Sequence, residues 1–273
     1  MKKTIFCLLC IACAVTAYAA EGVLTGKFSV SADQQVQFSP GNLQYHPNNE
    51  TWRFAENQFD FVGSNTIEGN VAYAFDRCSN SKIDKHYDGW IDLFGWGTGN
   101  DPVQIAEDGK AYAYFNDWGQ NTILNSGYEP VSWRTLTWDE WVYLLIQRAN
   151  ADQLRSQATV NNVHGYILLP DNWQLPKKIK FEPNSNDWTT NTYTDKQWQI
   201  IERAGAVFLP AAGFRSVKEV SVVQLFGFYW SSTAFTEKTD EARNIFFGEK
   251  RIGPRDHEKR FYGLSVRLVT DAK

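Results

Sequence analysis

The sequence predicts an α+β fold, and three observations point to it. Two segments of the second half open with a helix start signal and continue with apolar residues at helical spacing. Short segments that alternate polar with apolar residues lie on either side of them, as half-buried strands do. The helices come before a run of short strands and do not alternate with single strands, which is the order of an α+β domain.

The elements follow in chain order. Lys27-Phe28-Ser29-Val30-Ser31 and Val36-Gln37-Phe38 read as strands, and Ser39-Pro40-Gly41-Asn42 supplies the turn after them. Between Asp88 and Asn100 glycines mix with Trp90, Phe94 and Trp96, which predicts a compact irregular loop pinned by buried rings. Thr137-Trp138-Asp139-Glu140 is a capping box, with Trp141, Leu144 and Leu145 on one face behind it. Thr194-Asp195-Lys196-Gln197 is a second box, followed by Trp198 and Ile201, and Gly205 is the expected stop. Strands are expected again at Ala206–Pro210, Gly227–Thr233, Ile245–Phe247 and Tyr262–Val269, the last with Leu264, Val266 and Leu268 alternating with polar residues.

The first 19 residues read as an export signal. Lys2 and Lys3 form a positive start, Thr4 to Val15 is an apolar run too short to span a bilayer, and Ala17-Tyr18-Ala19 is a small-x-small cleavage pattern. Lipidation at Cys13 is the rival reading, because Ile11-Ala12-Cys13 partly matches a lipobox, although Cys10 stands where an aliphatic residue is expected. The chain is therefore expected to be exported, either secreted or displayed on the outer surface by a lipid anchor. No later segment is apolar and long enough to cross a membrane.

Of the four cysteines, Cys7, Cys10 and Cys13 fall in this segment and only Cys78 remains, so no internal disulfide is expected and Cys78 reads as a buried thiol. The core must then hold the fold unaided, and a chain that is 43% hydrophobic with 11 tryptophans has the material for it. The net charge is -4, and it falls by two, to -6, without Lys2 and Lys3. An acidic balance of that kind argues against a nucleic-acid partner. No linker divides residues 20–273. They read as a β- and loop-rich N-terminal half, 20–130, packed on a core, 131–273.

The order of motifs in that core carries a family resemblance. Trp133-Arg134 and Leu136-Thr137 lead into Glu140-Trp141 and Leu144; Ala212-Gly213-Phe214-Arg215, Tyr229-Trp230-Ser231-Ser232-Thr233 and Gly263-Leu264-Ser265-Val266-Arg267-Leu268-Val269 follow. This series resembles the Fibrobacter succinogenes major paralogous domain, best over residues 131–270. The resemblance implies a C-type-lectin-like fold with two helices and a mostly antiparallel, twisted sheet, in which the first and last strands pair and a loop-rich face points outward. It also implies a binding module of the bacterial cell surface, acting on a glycan or a protein without a cofactor. Formylglycine-generating enzymes use the same fold, but the resemblance implies paired active-site cysteines for them, and Cys78 stands alone.

Candidate sites divide unevenly. Glu182-Pro183-Asn184 matches the E-P-N triplet of calcium lectins, and its oxygens suit Ca²⁺. Its position between the helices and the missing W-N-D partner make a polar turn the preferred reading, with no metal expected. His46, His86, His164 and His257 show no metal-ligand spacing, and Ser231 and Ser232 lack a nucleophile elbow. A pair of carboxylates for glycan hydrolysis is the enzyme alternative, and a structural envelope protein is the third. Trp230 reads as a packing residue, and Arg215 and Arg267 as framework cations. The segment 235–260 holds six acidic and seven basic residues around one short apolar strand. It reads as a solvated hairpin or as the ligand-facing surface; the residues nominated for recognition are Arg243, Asn244, Glu249, Lys250, Arg251, Arg255, Asp256 and His257.

Overall fold

The computed structural model describes residues 22–62, 79–127 and 131–273. The export segment with Cys13, and Cys78, lie outside the described residues. Strands β1 (Phe28–Ser29) and β2 (Gln35–Phe38) are followed by a hairpin of β3 (Leu43–His46) and β4 (Thr51–Phe54). Loops and single-turn helices lead to β5 (Arg134–Thr135), α1 (Trp138–Val142), β6 (Arg155–Val160) and β7 (Val163–Leu168). Next come β8 (Thr192–Tyr193), α2 (Asp195–Arg203), β9 (Val207–Pro210), β10 (Phe214–Ser216) and β11 (Glu219–Ser221). The chain closes with β12 (Phe226–Ala234), β13 (Glu241–Gly248), β14 (Arg251–Lys259) and β15 (Leu268–Asp271). The fold is α+β, with mostly antiparallel sheets and two short α-helices among the described residues.

Both capping boxes form. Thr137 accepts from the Glu140 N–H while the Glu140 carboxylate accepts from the Thr137 N–H, and Thr194 and Gln197 repeat the pattern. Reciprocal capping satisfies two otherwise orphaned donors per helix. α2 stops at Gly205, whose φ of 98° suits a residue without Cβ and whose Cα lies against Gly26. α1 differs from the regular helix that the spacing predicts: it widens after Val142 into a π-turn over Tyr143–Gln147, closed by the Arg148 N–H on the Tyr143 carbonyl at 2.8 Å. The extra residue keeps Leu144 and Leu145 buried and swings Arg148 onto Asp171, 2.9 Å away.

Four sheets and a β3–β4 hairpin share the core. β2 lies between β1 and β15, with Phe38 opposite Val269, so an early strand pairs with the last one; β5 covers the other side of β15. The second sheet runs β8-β6-β7-β9, with β8 parallel to β6, and β10–β11 form a small hairpin. The third major sheet is β12-β13-β14. The closing strand expected at 262–269 begins only at Leu268. Upstream of it Leu264 bridges Phe94, Ser265 bridges Tyr229 and the Val266 carbonyl takes the Leu43 N–H. Each residue there has a different neighbour, so the alternation records a threaded segment and not one ladder.

Three buried clusters result, and each draws residues from both sides of position 130: Phe38 with Trp141 and Phe247, Phe61 with Trp198 and Phe208, Phe54 with Trp133 and Trp230. Burying one such ring contributes about 1.5–3 kcal/mol. The loop from Asp88 to Asn100 is pinned as its composition predicts, with Phe94 and Trp96 buried and the Trp96 Nε1–H donating to the Ser231 carbonyl at 2.9 Å. Arg215 and Arg267 are buried within this frame. Arg215 donates to the carbonyls of Val217 and Leu93, and Arg267 to the Phe208 carbonyl and, at 3.0 Å, to Gln58 Oε1. Burial pulls both guanidinium groups down to about 10, which leaves them cationic at neutral pH.

Candidate functional site

Packing between two sheets sets the position of the β13–β14 turn. Ile245 and Phe247 point from β13 into the core, where Phe247 stacks on Tyr166 of β7 at 5.3 Å and Trp188 closes on its edge at 6.5 Å. These contacts hold Glu249 and Lys250 over the loop that runs from Glu182 to Asp187, and the Lys250 N–H donates to the Asn186 carbonyl at 3.1 Å.

That loop is clamped to β6. Ser156 Oγ–H and Asn191 Nδ2–H donate to the Glu182 carbonyl at 2.8 and 2.9 Å, and Asn191 Oδ1 accepts from the Glu182 N–H. The Asn184 N–H donates to the Arg155 carbonyl at 2.7 Å, and Asn184 takes a φ of 54°, a conformation Asn tolerates in turns. The E-P-N triplet therefore forms a turn, as its Pro-Asn composition suggests, and its backbone is committed to the fold.

Between the loop and the turn is a cavity of ≈ 200 Å³. Gln157 of β6 and Tyr166 of β7 form one wall, Asn184, Ser185 and Asn186 a second, and Lys250, Arg251 and Ile252 the third. Gln157 is 1% exposed. Its Nε2 donates to the carbonyls of Gly248 and Arg251, which fixes the orientation of the amide, and its Oε1 has no donor among the described residues. An unpaired buried acceptor costs about 1–3 kcal/mol. Burial pushes the Tyr166 hydroxyl up to about 12, so it stays protonated, and it accepts from Arg155 Nη1 at 3.1 Å.

The two charged residues of the walls are both cations. Lys250 and Arg251 are exposed, with the Arg251 guanidinium 5.2 Å above the Phe246 ring. Glu249 approaches Lys250 at 3.7 Å with both side chains largely in solvent, a pair of little energetic weight. The nearby Asp187 carboxylate is held below its ordinary range by the N–H and hydroxyl of Thr189, with Lys250 adding to the effect. Among the described residues no carboxylate lines the cavity, and Glu182 is not among its walls. Among the described residues no group of three or more His, Cys, Asp or Glu side chains comes together as a metal site would.

The eight nominated residues part company here. Lys250 and Arg251 reach the cavity, with Glu249 beside them. Arg243 is held between the rings of Trp138 and Phe235, at 4.4 and 4.3 Å. His257 stacks on Phe235 at 4.0 Å and contacts Glu241 Oε2 through Nδ1 at 2.5 Å. Burial raises the Glu241 carboxyl, but hydrogen bonds from Lys259, Lys238 and His257 outweigh it and leave the group below its ordinary range. Asn244 is fully buried, opposite Trp230 on one strand and Asp256 on the other, and so belongs to the sheet interior. Arg255 is exposed on β14 and does not line the cavity. Trp230 is buried, its Nε1–H on the Phe94 carbonyl at 2.7 Å. The sequence pattern does not single out Gln157 or Tyr166; its one signal for Gln157 is a long polar side chain in a strand whose neighbours pack inward.

The chain matches no protein-family model, no curated protein and no solved structure. No helix among the described residues is long and apolar enough to cross a membrane.

Proposed function

We propose that the chain is an exported, non-enzymatic recognition module of the bacterial surface, built on a C-type-lectin-like frame and related to the Fibrobacter succinogenes major paralogous domain. The observation that carries this reading is the convergence at one cavity of a buried amide whose Oε1 has no donor among the described residues, two cations with weak partners only, and a polar loop. A few convergent polar groups in a concave site are the usual form of a small-ligand site. The pairing of β5, the first strand of residues 131–273, with β15 supports the frame, since the resemblance implies pairing of the first and last strands.

A glycan array probed with and without a calcium chelator tests the reading. Binding that survives the chelator and weakens in Arg251→Ala supports metal-free recognition at this face. Binding lost with the chelator would overturn it in favour of a calcium site at Glu182 and Asn184, and a blank array would count against a glycan role.

One observation favours the hydrolase alternative. Asp256 and Glu258 leave the same face of β14, and burial, helped by Asp256 and Glu241, raises the Glu258 carboxyl to about 7, where a general acid works. Release of reducing ends from arrayed glycans, abolished by Glu258→Gln, would establish that activity in place of binding. Assembly through the open edge of β14 is disfavoured by Arg251, Pro254 and Arg255, which blunt it.

A further inference from the structure

We propose that the cavity takes one sugar ring bearing a carboxylate, the chemistry of the uronic acids. The assignment rests on the recognition reading above and names the ligand class for the same site. Size is the first argument. A volume of ≈ 200 Å³ equals the liquid share of roughly seven water molecules. It lies below the about 300–1,000 Å³ of pockets for drug-sized ligands. One ring with its hydroxyls fits; an oligosaccharide extends past the rim.

Charge is the second argument. Lys250 and Arg251 present two cations, and among the described residues no carboxylate stands in the walls to neutralise them. The one acid near Lys250 at ion-pair range, Glu249, is largely in solvent. Arg251 has no carboxylate partner among the described residues and rests over the Phe246 ring, a weak hold that a ligand carboxylate replaces with paired N–H···O bonds.

The third argument separates a sugar acid from a plain anion. Gln157 Oε1 is an acceptor without a donor among the described residues, and the Nε2 of the same amide is consumed by two backbone carbonyls. A carboxylate cannot satisfy it, because carboxylates only accept. A hydroxyl donates, and a uronic acid carries ring hydroxyls, the nearest on the carbon beside the one that bears its carboxylate. Asn184, Ser185 and Asn186 add donors and acceptors of the kind that line sugar sites.

The test is a titration of the purified, isotope-labelled chain with galacturonate and glucuronate, set against galactose, glucose and acetate. Backbone shifts are followed at Lys250 and Arg251, and the side-chain amide is followed at Gln157. The uronates should shift all three saturably, with the neutral hexoses and acetate at least about tenfold weaker, the difference one charge-assisted pair makes. Lys250→Ala/Arg251→Ala should remove the preference for the acid sugars, and added salt should weaken it. Equal affinity for galactose and galacturonate, equal shifts with acetate, undiminished uronate binding in the double variant, or no shift with any probe would each overturn the assignment. A positive glycan array alongside any of these leaves the recognition reading standing; a blank array together with no shifts removes both.

Discussion

Two pairs of cations in this molecule share a chemistry and differ in everything around them. Arg215 and Arg267 are almost fully buried and anchored on backbone carbonyls and one amide through Arg215 Nη1 and Nη2 and Arg267 Nη2. Arg215 Nε and Arg267 Nε and Nη1 have no acceptor among the described residues. Lys250 and Arg251 stand in solvent at the mouth of a cavity, with the exposed Glu249, the nearby Asp187 and the Phe246 ring for company. The difference teaches how the charge is used. A buried guanidinium that donates to carbonyls of distant segments ties them together: Arg215 joins the 88–100 loop to β10, and Arg267 joins β9 to the residue before β15. An exposed cation with no strong partner contributes little to folding and is free for a ligand.

Removing the first kind of charge should have the largest effect. Arg267→Ala opens a cavity and strips the donor from the Phe208 carbonyl and from Gln58, at a cost of about 3–4 kcal/mol, read from chemical denaturation. Arg148 gives an intermediate case, a buried guanidinium with a half-exposed carboxylate partner, Asp171. Burial raises the Asp171 carboxyl, but hydrogen bonds from Ser29, Gln35 and Arg148 prevail and hold it below its ordinary value. Its stabilisation is thus present above the unfolded-state pKa and lost as pH falls through the folded value. Asp171→Asn should cost about 1–2 kcal/mol at neutral pH after allowance for solvent. Wild type and variant should converge in acid.

Glu258 sharpens the comparison with the opposite sign. Its carboxyl is raised to about 7, so the folded state holds the proton that the unfolded state releases. The associated stability is full below the ordinary carboxylate range and lost as pH rises through about 7. Glu258→Gln should therefore be more stable than wild type at pH 8, by up to about 1 kcal/mol, with a smaller difference in acid. Lys250→Ala/Arg251→Ala completes the series, with a change within about 0.5 kcal/mol.

Much of the frame was legible in residue order, and the reason is local chemistry. The two capping boxes, the stop at Gly205 and the strands around Val207 and Phe246 are written in neighbouring residues, and so they could be read. Arg215 and Arg267 could be singled out because cations in apolar strands have few other uses. The π-turn after Val142 could not be read, since it depends on where Asp171 lies for Arg148. The threaded segment from Leu264 to Val266 mimics a strand because inward and outward neighbours alternate even without a ladder. The candidate site is half legible. Lys250 and Arg251 stood out in a charged hairpin, whereas Gln157 becomes notable only when the turn from Gly248 to Arg251 folds over it. Arg243 and His257 sit in the same charged segment, yet the rings of Trp138 and Phe235 absorb them.

The division between framework and rim is tested most directly by thermal unfolding of Arg267→Ala and Lys250→Ala/Arg251→Ala side by side, with galacturonate binding measured on the same samples. Arg267→Ala should melt about 10 °C below wild type, while the double variant stays within about 2 °C of wild type and loses the sugar acid. A double variant that melts as low as Arg267→Ala would mean that the rim cations hold the turn in place, and the account of a free, ligand-facing charge would be wrong.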